Sequence, residues 1–209
     1  MLILKEEEKE NNVIDKAVQI LRAGGIISFA TETVYALAVD AANDKAIERL
    51  YKIKKRAKEK PIAIFAKDLA SAKEILFFNF REEKLATKFM PGALTLILKK
   101  KFDNNKISLL LNNGSDYLGL RIPNHQFVLK LLAEFDGFIA TTSANIANQA
   151  PAISAAEVVK YFNNEVNLVI DGNICQYKIP STVAKIEEDG TIKILRNGII
   201  TEELLTKHK

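Results

Sequence analysis

Apolar residues recur at helical spacing in Val13, Ile14, Ala17, Ile20 and Leu21, and Gly24-Gly25 follows as a stop. The pattern predicts a helix that feeds directly into a short buried strand over 26–30. A second amphipathic segment begins near Asn43 and Asp44 and places Ile47, Leu50 and Tyr51 on one face; a basic stretch and a strand over 62–66 come next. Asp68 stands where it would cap another helix. Residues 81–90 pattern as a helix ending at Pro91-Gly92, and 94–98 and 117–121 pattern as strands. Phe127, Val128, Leu131, Leu132 and Phe135 make an apolar stripe, so a helix is expected over 125–135, closed by Asp136-Gly137 and followed by a strand over 138–142. Ser154 and Glu157 have capping-box spacing at the head of a helix reaching about Phe162, and 168–171 is strand-like. Strands and helices thus alternate until 182–187 and 191–196 flank Asp189-Gly190, a hairpin signal that makes the sheet mixed. No repeat, low-complexity run or Pro/Ser-rich linker divides the chain. The expectation is one α/β domain over 1–209, a twisted mixed β-sheet covered by helices.

With 209 residues and 48% hydrophobic content, the chain can bury one sizeable core. A net charge of +4 and a pI near 9.0 suit an anionic ligand such as a nucleotide or RNA without requiring one. Cys175 is the single cysteine, which excludes an intrachain disulfide and a cysteine zinc cluster and favours a reducing compartment. The apolar start at 1–4 is shorter than a secretion signal needs, and the apolar runs at 62–66 and 94–98 have strand length rather than the length of a membrane span. A cytoplasmic protein with no membrane attachment is expected.

The sequence contains no G-x-x-x-x-G-K-[ST] phosphate loop, no G-x-G-x-x-G, no G-x-S-x-G and no H-E-x-x-H. His125, at an expected helix start, and His208 leave little for a histidine-centred triad or metal site, so His125 reads as a structural or capping residue. The stretch Lys52-Ile53-Lys54-Lys55-Arg56-Ala57-Lys58-Glu59-Lys60-Pro61 sets six cations against one carboxylate between two apolar elements. Such a run is either a solvated loop or the wall of an anion site. Lys54 continues the Ile47, Leu50, Tyr51 face, so its ammonium should emerge at the rim of the core, and Arg56 can aim at the same place. A second constellation, Thr141-Thr142-Ser143-Ala144-Asn145, follows a strand directly; it is either an ordinary turn or a set of donors at the strand end where open α/β sheets bind ligands. Arg121 closes another strand, as a surface salt-bridge partner or as a fork for an amino-acid carboxylate. Ser181-Thr182 opens one after Pro180, and Thr31-Glu32-Thr33-Val34-Tyr35-Ala36-Leu37 reads as a polar turn re-entering the core.

Taken in order, these pieces resemble the YrdC-type family of threonylcarbamoyl-AMP synthases, with its T-[ED]-T-V-Y-G-L, K-x-R, P-G-x-x-T, V-R-x-P, S-A-N and S-T-V motifs. Here they read Thr31 to Leu37, Lys54-Lys55-Arg56 with Pro61, Pro91-Gly92-Ala93-Leu94-Thr95, Leu120-Arg121-Ile122-Pro123, Thr142-Ser143-Ala144-Asn145, Ser181-Thr182-Val183 and Leu195-Arg196-Asn197-Gly198. Ala36, Ala57 and Phe65 depart from the family pattern, which has Gly, Pro and often His there. The resemblance implies a YrdC-like fold with a concave basic cleft. Lys54, Arg56, Ser143 and Asn145 match its catalytic tetrad, Lys60, Pro151 and Arg196 its further ATP contacts, and Thr33, Arg121, Thr141 and Ser181 its threonine contacts. The implied reaction joins L-threonine, bicarbonate and ATP, with Mg2+, into threonylcarbamoyl-AMP and pyrophosphate. The adenylate would pass to a downstream threonylcarbamoyl-transferase complex for tRNA modification, with weak RNA or tRNA binding by this chain. No carboxylate cluster marks metal ligands. Two rivals stand beside this reading: a non-catalytic RNA-binding module, for which the basic run would suffice but only Tyr51 is near for stacking, and a paralogue using another nucleotide or carbamoyl donor.

Overall fold

Each one-sided helix in this chain has an apolar stripe to bury, and the strands between the helices supply the surface that receives it. In the computed structural model, which describes residues 1–7, 10–101 and 106–208, ten strands form one mixed sheet. In chain order the elements are β1 (Leu2–Lys5), α1 (Glu10–Arg22), β2 (Ile27–Phe29), β3 (Ala36–Asp40), α2 (Asp44–Ile53), β4 (Ala63–Phe65), α3 (Leu69–Ile75), α4 (Phe80–Phe89) and β5 (Leu94–Lys99). They continue with β6 (Tyr117–Arg121), α5 (Gln126–Phe135), β7 (Ile139–Ser143), α6 (Ala155–Phe162), β8 (Leu168–Asp171), β9 (Thr182–Ile186), β10 (Ile192–Arg196) and α7 (Glu202–Lys207). Across the sheet the order is β1-β8-β2-β3-β7-β4-β6-β5-β9-β10. β1 and β2 run parallel to β8, β4 to β6 and β5 to β9, while β2/β3, β3/β7, β4/β7, β5/β6 and β9/β10 are antiparallel. Mixing therefore runs through the whole sheet rather than being confined to the expected terminal hairpin. No helix among the described residues is long and apolar enough to cross a membrane.

Register decides which side chains share a face. Ala36 lies opposite Ser143, Ala38 and Ala63 flank Thr141, and Phe65 lies opposite Arg121. Gly119 faces Ile97, and Thr95 faces Val183. Over one half of this face α1 and α5 supply a lid: Val13, Ala17, Leu21, Phe127 and Leu131 pack with Ile27, Phe29, Ala38 and Ile139. The opposite face carries the larger core, where Leu37, Val39, Ile64, Leu96 and Leu120 meet Ile47 and Leu50 of α2, Leu85 of α4 and Val158 of α6. On the half built from β4, β6, β5, β9 and β10, the first face receives no helix among the described residues, and Thr95, Ile97, Gly119 and Val183 floor a cavity instead. Gly119 keeps that floor low: a Cβ there would stand 3.1 Å from the Ala63 methyl and 3.4 Å from Thr95 Cγ2.

Three elements escape the sequence pattern. Met1 to Leu4 showed only as a short apolar start, yet β1 pairs with β8, a contact between residues far apart in the chain. The segment read as a polar turn re-entering the core continues into β3, whose Ala36–Val39 run is buried on both faces and so has no alternation to detect. α7, capped by Thr201, is too short for a helical period to stand out. His125 does occupy the N-cap of α5, but its side chain makes no capping hydrogen bond, so the capping role expected for it is not seen.

Candidate active site

The basic stretch is delivered by α2. Asn43 caps that helix by accepting the Ala46 N–H, and Ala46, Ile47, Leu50, Tyr51 and Ile53 anchor its inner face. The same face brings Lys54, at the C-cap, into the protein: it is 1% exposed, well beyond the rim position its spacing suggested. Its ammonium donates to Asn145 Oδ1 at 2.7 Å, to the Asn145 carbonyl at 3.0 Å and to the Ser143 carbonyl, which fills all three N–H groups. Burial first, then the nearby Arg56 and Arg196 cations, lower its pKa from 10.5 to about 7. Lys55 takes a left-handed φ of 50°, a sharp exit from the helix that lets the Arg56 N–H return to the Tyr51 carbonyl at 3.0 Å. Arg56 then donates from Nε to the Lys60 carbonyl at 3.0 Å and from Nη2 to the Pro61 carbonyl at 2.9 Å, folding the rest of the basic run around itself.

The facing wall is the end of β7. Ser143 Oγ donates to Asn145 Oδ1 at 2.7 Å, and the Asn145 amide donates to the Ile146 and Gln149 carbonyls at 3.0 and 2.8 Å. Lys54 and this turn therefore form one hydrogen-bonded unit. From β9 and β10, Arg196 clasps Ser181, with Nε and Nη2 on its carbonyl at 3.0 and 2.8 Å and Nη2 also on its hydroxyl at 2.9 Å. The Ser181 hydroxyl is in turn 2.9 Å from that of Thr95. Arg121 is 5% exposed, with Nη1 on the Thr33 hydroxyl at 2.9 Å and Nε on the Gly92 carbonyl at 3.0 Å. The Glu32 carboxylate lies 2.8 Å from its Nη2. Thr33 is held by Thr31, whose hydroxyl is 2.8 Å away.

These walls enclose a cavity of about 410 Å3, lined by Thr33, Arg56, Lys60, Arg121, Thr141, Ser143, Ser181 and Arg196 among others. That volume is in the range of small-molecule sites. A smaller hollow of about 210 Å3 adjoins it, lined by Lys54, Lys55, Arg56, Lys60, Ser143, Asn145 and Asn148, and shares Arg56, Lys60 and Ser143 with the larger one. Of the residues matched to catalytic, ATP or threonine contacts, Pro151 alone lines neither space. Thr95 was not placed in the site and lines the cavity; Phe65, expected near the amino acid from the family pattern, lines it too and puts its ring 5.4 Å from the Arg121 guanidinium carbon. Thr95 carried a readable signal, being the polar residue alternating with Leu94 and Leu96 in a strand. Tyr51 is buried, its hydroxyl within 3.1 and 3.2 Å of the Lys60 and Leu111 carbonyls, which removes the aromatic that a base-stacking role for the basic run needed.

The chain matches the Sua5/YciO/YrdC family, described as "Telomere recombination", over residues 19–198. A protein of Methanocaldococcus jannaschii, provisionally named threonylcarbamoyl-AMP synthase, is 34% identical over 201 residues, 96% of this chain and 93% of that protein. The threonylcarbamoyl-AMP synthase of Pyrococcus abyssi is 32% identical over 206 residues, 98% of this chain but 59% of that longer protein. The crystal structure of P. abyssi Sua5 complexed with L-threonine superposes with a TM-score of 0.89 at 30% identity, covering 99% of this chain and 59% of that one. Motifs, sheet and cavity thus agree with identity sustained along nearly the whole chain, and the protein belongs to the Sua5/YciO/YrdC family.

Proposed function

We propose that this protein is an L-threonylcarbamoyladenylate synthase: a nucleotidyltransferase of one YrdC-like domain over 1–209 that acts in the cytoplasm and supplies a threonylcarbamoyl-transferase complex for tRNA modification. The observation that carries this reading is a single cavity lined together by the buried Arg121, by the cations Arg56, Lys60 and Arg196, and by the hydroxyls of Thr33, Thr141 and Ser181. A buried guanidinium with N–H groups still available suits an amino-acid carboxylate, and cations that line the same cavity suit a triphosphate.

In this reaction the threonine nitrogen bonds to the carbon of carbon dioxide, losing a proton, to give a carbamate. A carbamate oxygen then attacks the α-phosphorus of ATP, and pyrophosphate leaves with the electrons of the bridging P–O bond. No protein nucleophile is needed; positioning and charge neutralisation suffice. Arg121 holds the carboxylate, while Thr33 or Thr141 meets the substrate hydroxyl. Arg56, Lys60 and Arg196 face the phosphates. The ammonium of Lys54, its donors filled, acts by holding the Ser143–Asn145 turn in place and by its charge. Among the described residues no three His, Cys, Asp or Glu side chains gather to hold a metal, so a Mg2+ would have to enter bound to the triphosphate. Incubation with ATP, bicarbonate and threonine, each omitted in turn, should yield the mixed anhydride by mass spectrometry only in the complete mixture; pyrophosphate release that ignores threonine would refute the assignment.

A further inference from the structure

Glu32 sits in the turn between β2 and β3 and is 5% exposed, yet it is not part of the cavity wall. Its Oε1 serves two groups, lying 2.8 Å from Arg121 Nη2 and accepting the Asn124 backbone N–H at 3.0 Å. Its Oε2 has no hydrogen-bond partner among the described residues. Arg121 Nη2, although 2.8 Å from Glu32 Oε1, likewise has no hydrogen-bond partner among the described residues. The pair is matched in charge and incomplete in geometry. Gly92 takes the Nε hydrogen and Thr33 one of the two on Nη1, beside the Phe65 ring, so the second Nη1 hydrogen and the Nη2 side are left for a ligand. Among the described residues no carboxylate pairs in this way with Arg56, Lys60 or Arg196. Arg121 therefore has a built-in counter-charge that the other cations lining the cavity lack.

A guanidinium that already has a buried counter-ion attracts an incoming carboxylate less than a bare one, because the two anions repel where screening is poor. We infer that Glu32 is a positioning residue that sets the threonine affinity of this site through Arg121, without touching the substrate; the inference rests on the synthase reading above. Glu32 aims the guanidinium and at the same time limits its hold on the carboxylate. That limit acts on the product as well, since carbamoylation of the amine leaves the threonine carboxylate intact, and a permanent counter-charge at Arg121 helps the adenylate depart.

Titration calorimetry of L-threonine into the full chain, with KM values for threonine and ATP measured separately, tests this. Glu32→Gln keeps an acceptor for Asn124 and Arg121 but removes the charge, so threonine should bind about threefold tighter or more while the KM for ATP stays within about twofold. Unchanged or weaker threonine binding would overturn the role of charge. Glu32→Asp keeps the charge on a shorter arm, letting Arg121 swing; it should raise the KM for threonine and leave that for ATP alone. A fall in the threonine KM, or a parallel rise in both, would overturn the positioning role, and this variant decides the matter if Glu32→Gln does not fold. A native protein that fails to bind threonine removes the proposed function together with this inference, whereas native binding with no response to either variant removes the inference only.

Discussion

Arg56 and Lys54 are neighbours in sequence with different physical standing. Arg56 is half-buried and leans on backbone carbonyls of its own loop, whereas Lys54 is a core residue whose loss would leave three acceptor oxygens and a void. Arg56→Ala should lower adenylate formation on the order of a hundredfold, or about 3 kcal/mol, with little change in the melting temperature. Lys54→Ala should lose activity and stability together, which paired kinetics and thermal melts will separate. The pKa of Lys54 gives a second expectation. Its folded value near 7 lies below the ordinary 10.5, so between those pH values the unfolded chain binds more protons here and this group makes stability rise with pH. A bound triphosphate favours the charged form, so ATP binding at pH 8 should be accompanied by proton uptake. Calorimetry in buffers of different ionisation enthalpy measures that uptake, and Lys54→Met should abolish it. What was legible at this scale was residue type and spacing: the periodicity that carried Lys54 onto the inner face of α2 could be read, but its complete burial against β7 could not, because that contact joins positions 54 and 145.

α2 is the element on which this half of the site depends. Its burial of Ile47, Leu50 and Tyr51 fixes where the basic run begins, and its Asn43 cap fixes where the helix starts. Asn43→Ala should destabilise the protein by about 1 kcal/mol in chemical denaturation, with the ligand affinities of the folded protein nearly unchanged. β7 is its counterpart, delivering Thr141 and Ser143 through pairing with β3 and β4. The helices α1, α2 and α5 were all visible in the sequence because an amphipathic period is a local property. β1 and β3 were not, since the first is a short edge strand and the second is apolar without alternation from Ala36 to Val39; each is identified as a strand only by its partner.

For the whole molecule, the decisive feature is that α1 and α5 cover only half of one sheet face and leave the other half as a cavity. Gly119 lies on its floor, so Gly119→Val should fill part of that space and weaken both threonine and ATP binding at least tenfold, and, because its Cβ would stand 3.1 Å from the Ala63 methyl, it should also lower the melting temperature. Binding titrations with thermal melts check both halves of that expectation. The sequence alone determined the α/β class, the helices other than α7, the terminal hairpin and the chemical types at the site, because periodicity, caps and turn residues act over a few neighbouring positions. Only the tertiary structure decided the strand order, the face on which Thr95 and Phe65 appear, the Glu32–Arg121 pair and the filled donors of Lys54. Those follow from pairing register and burial between distant segments, where a shift of one residue in a strand would send every side chain to the opposite face.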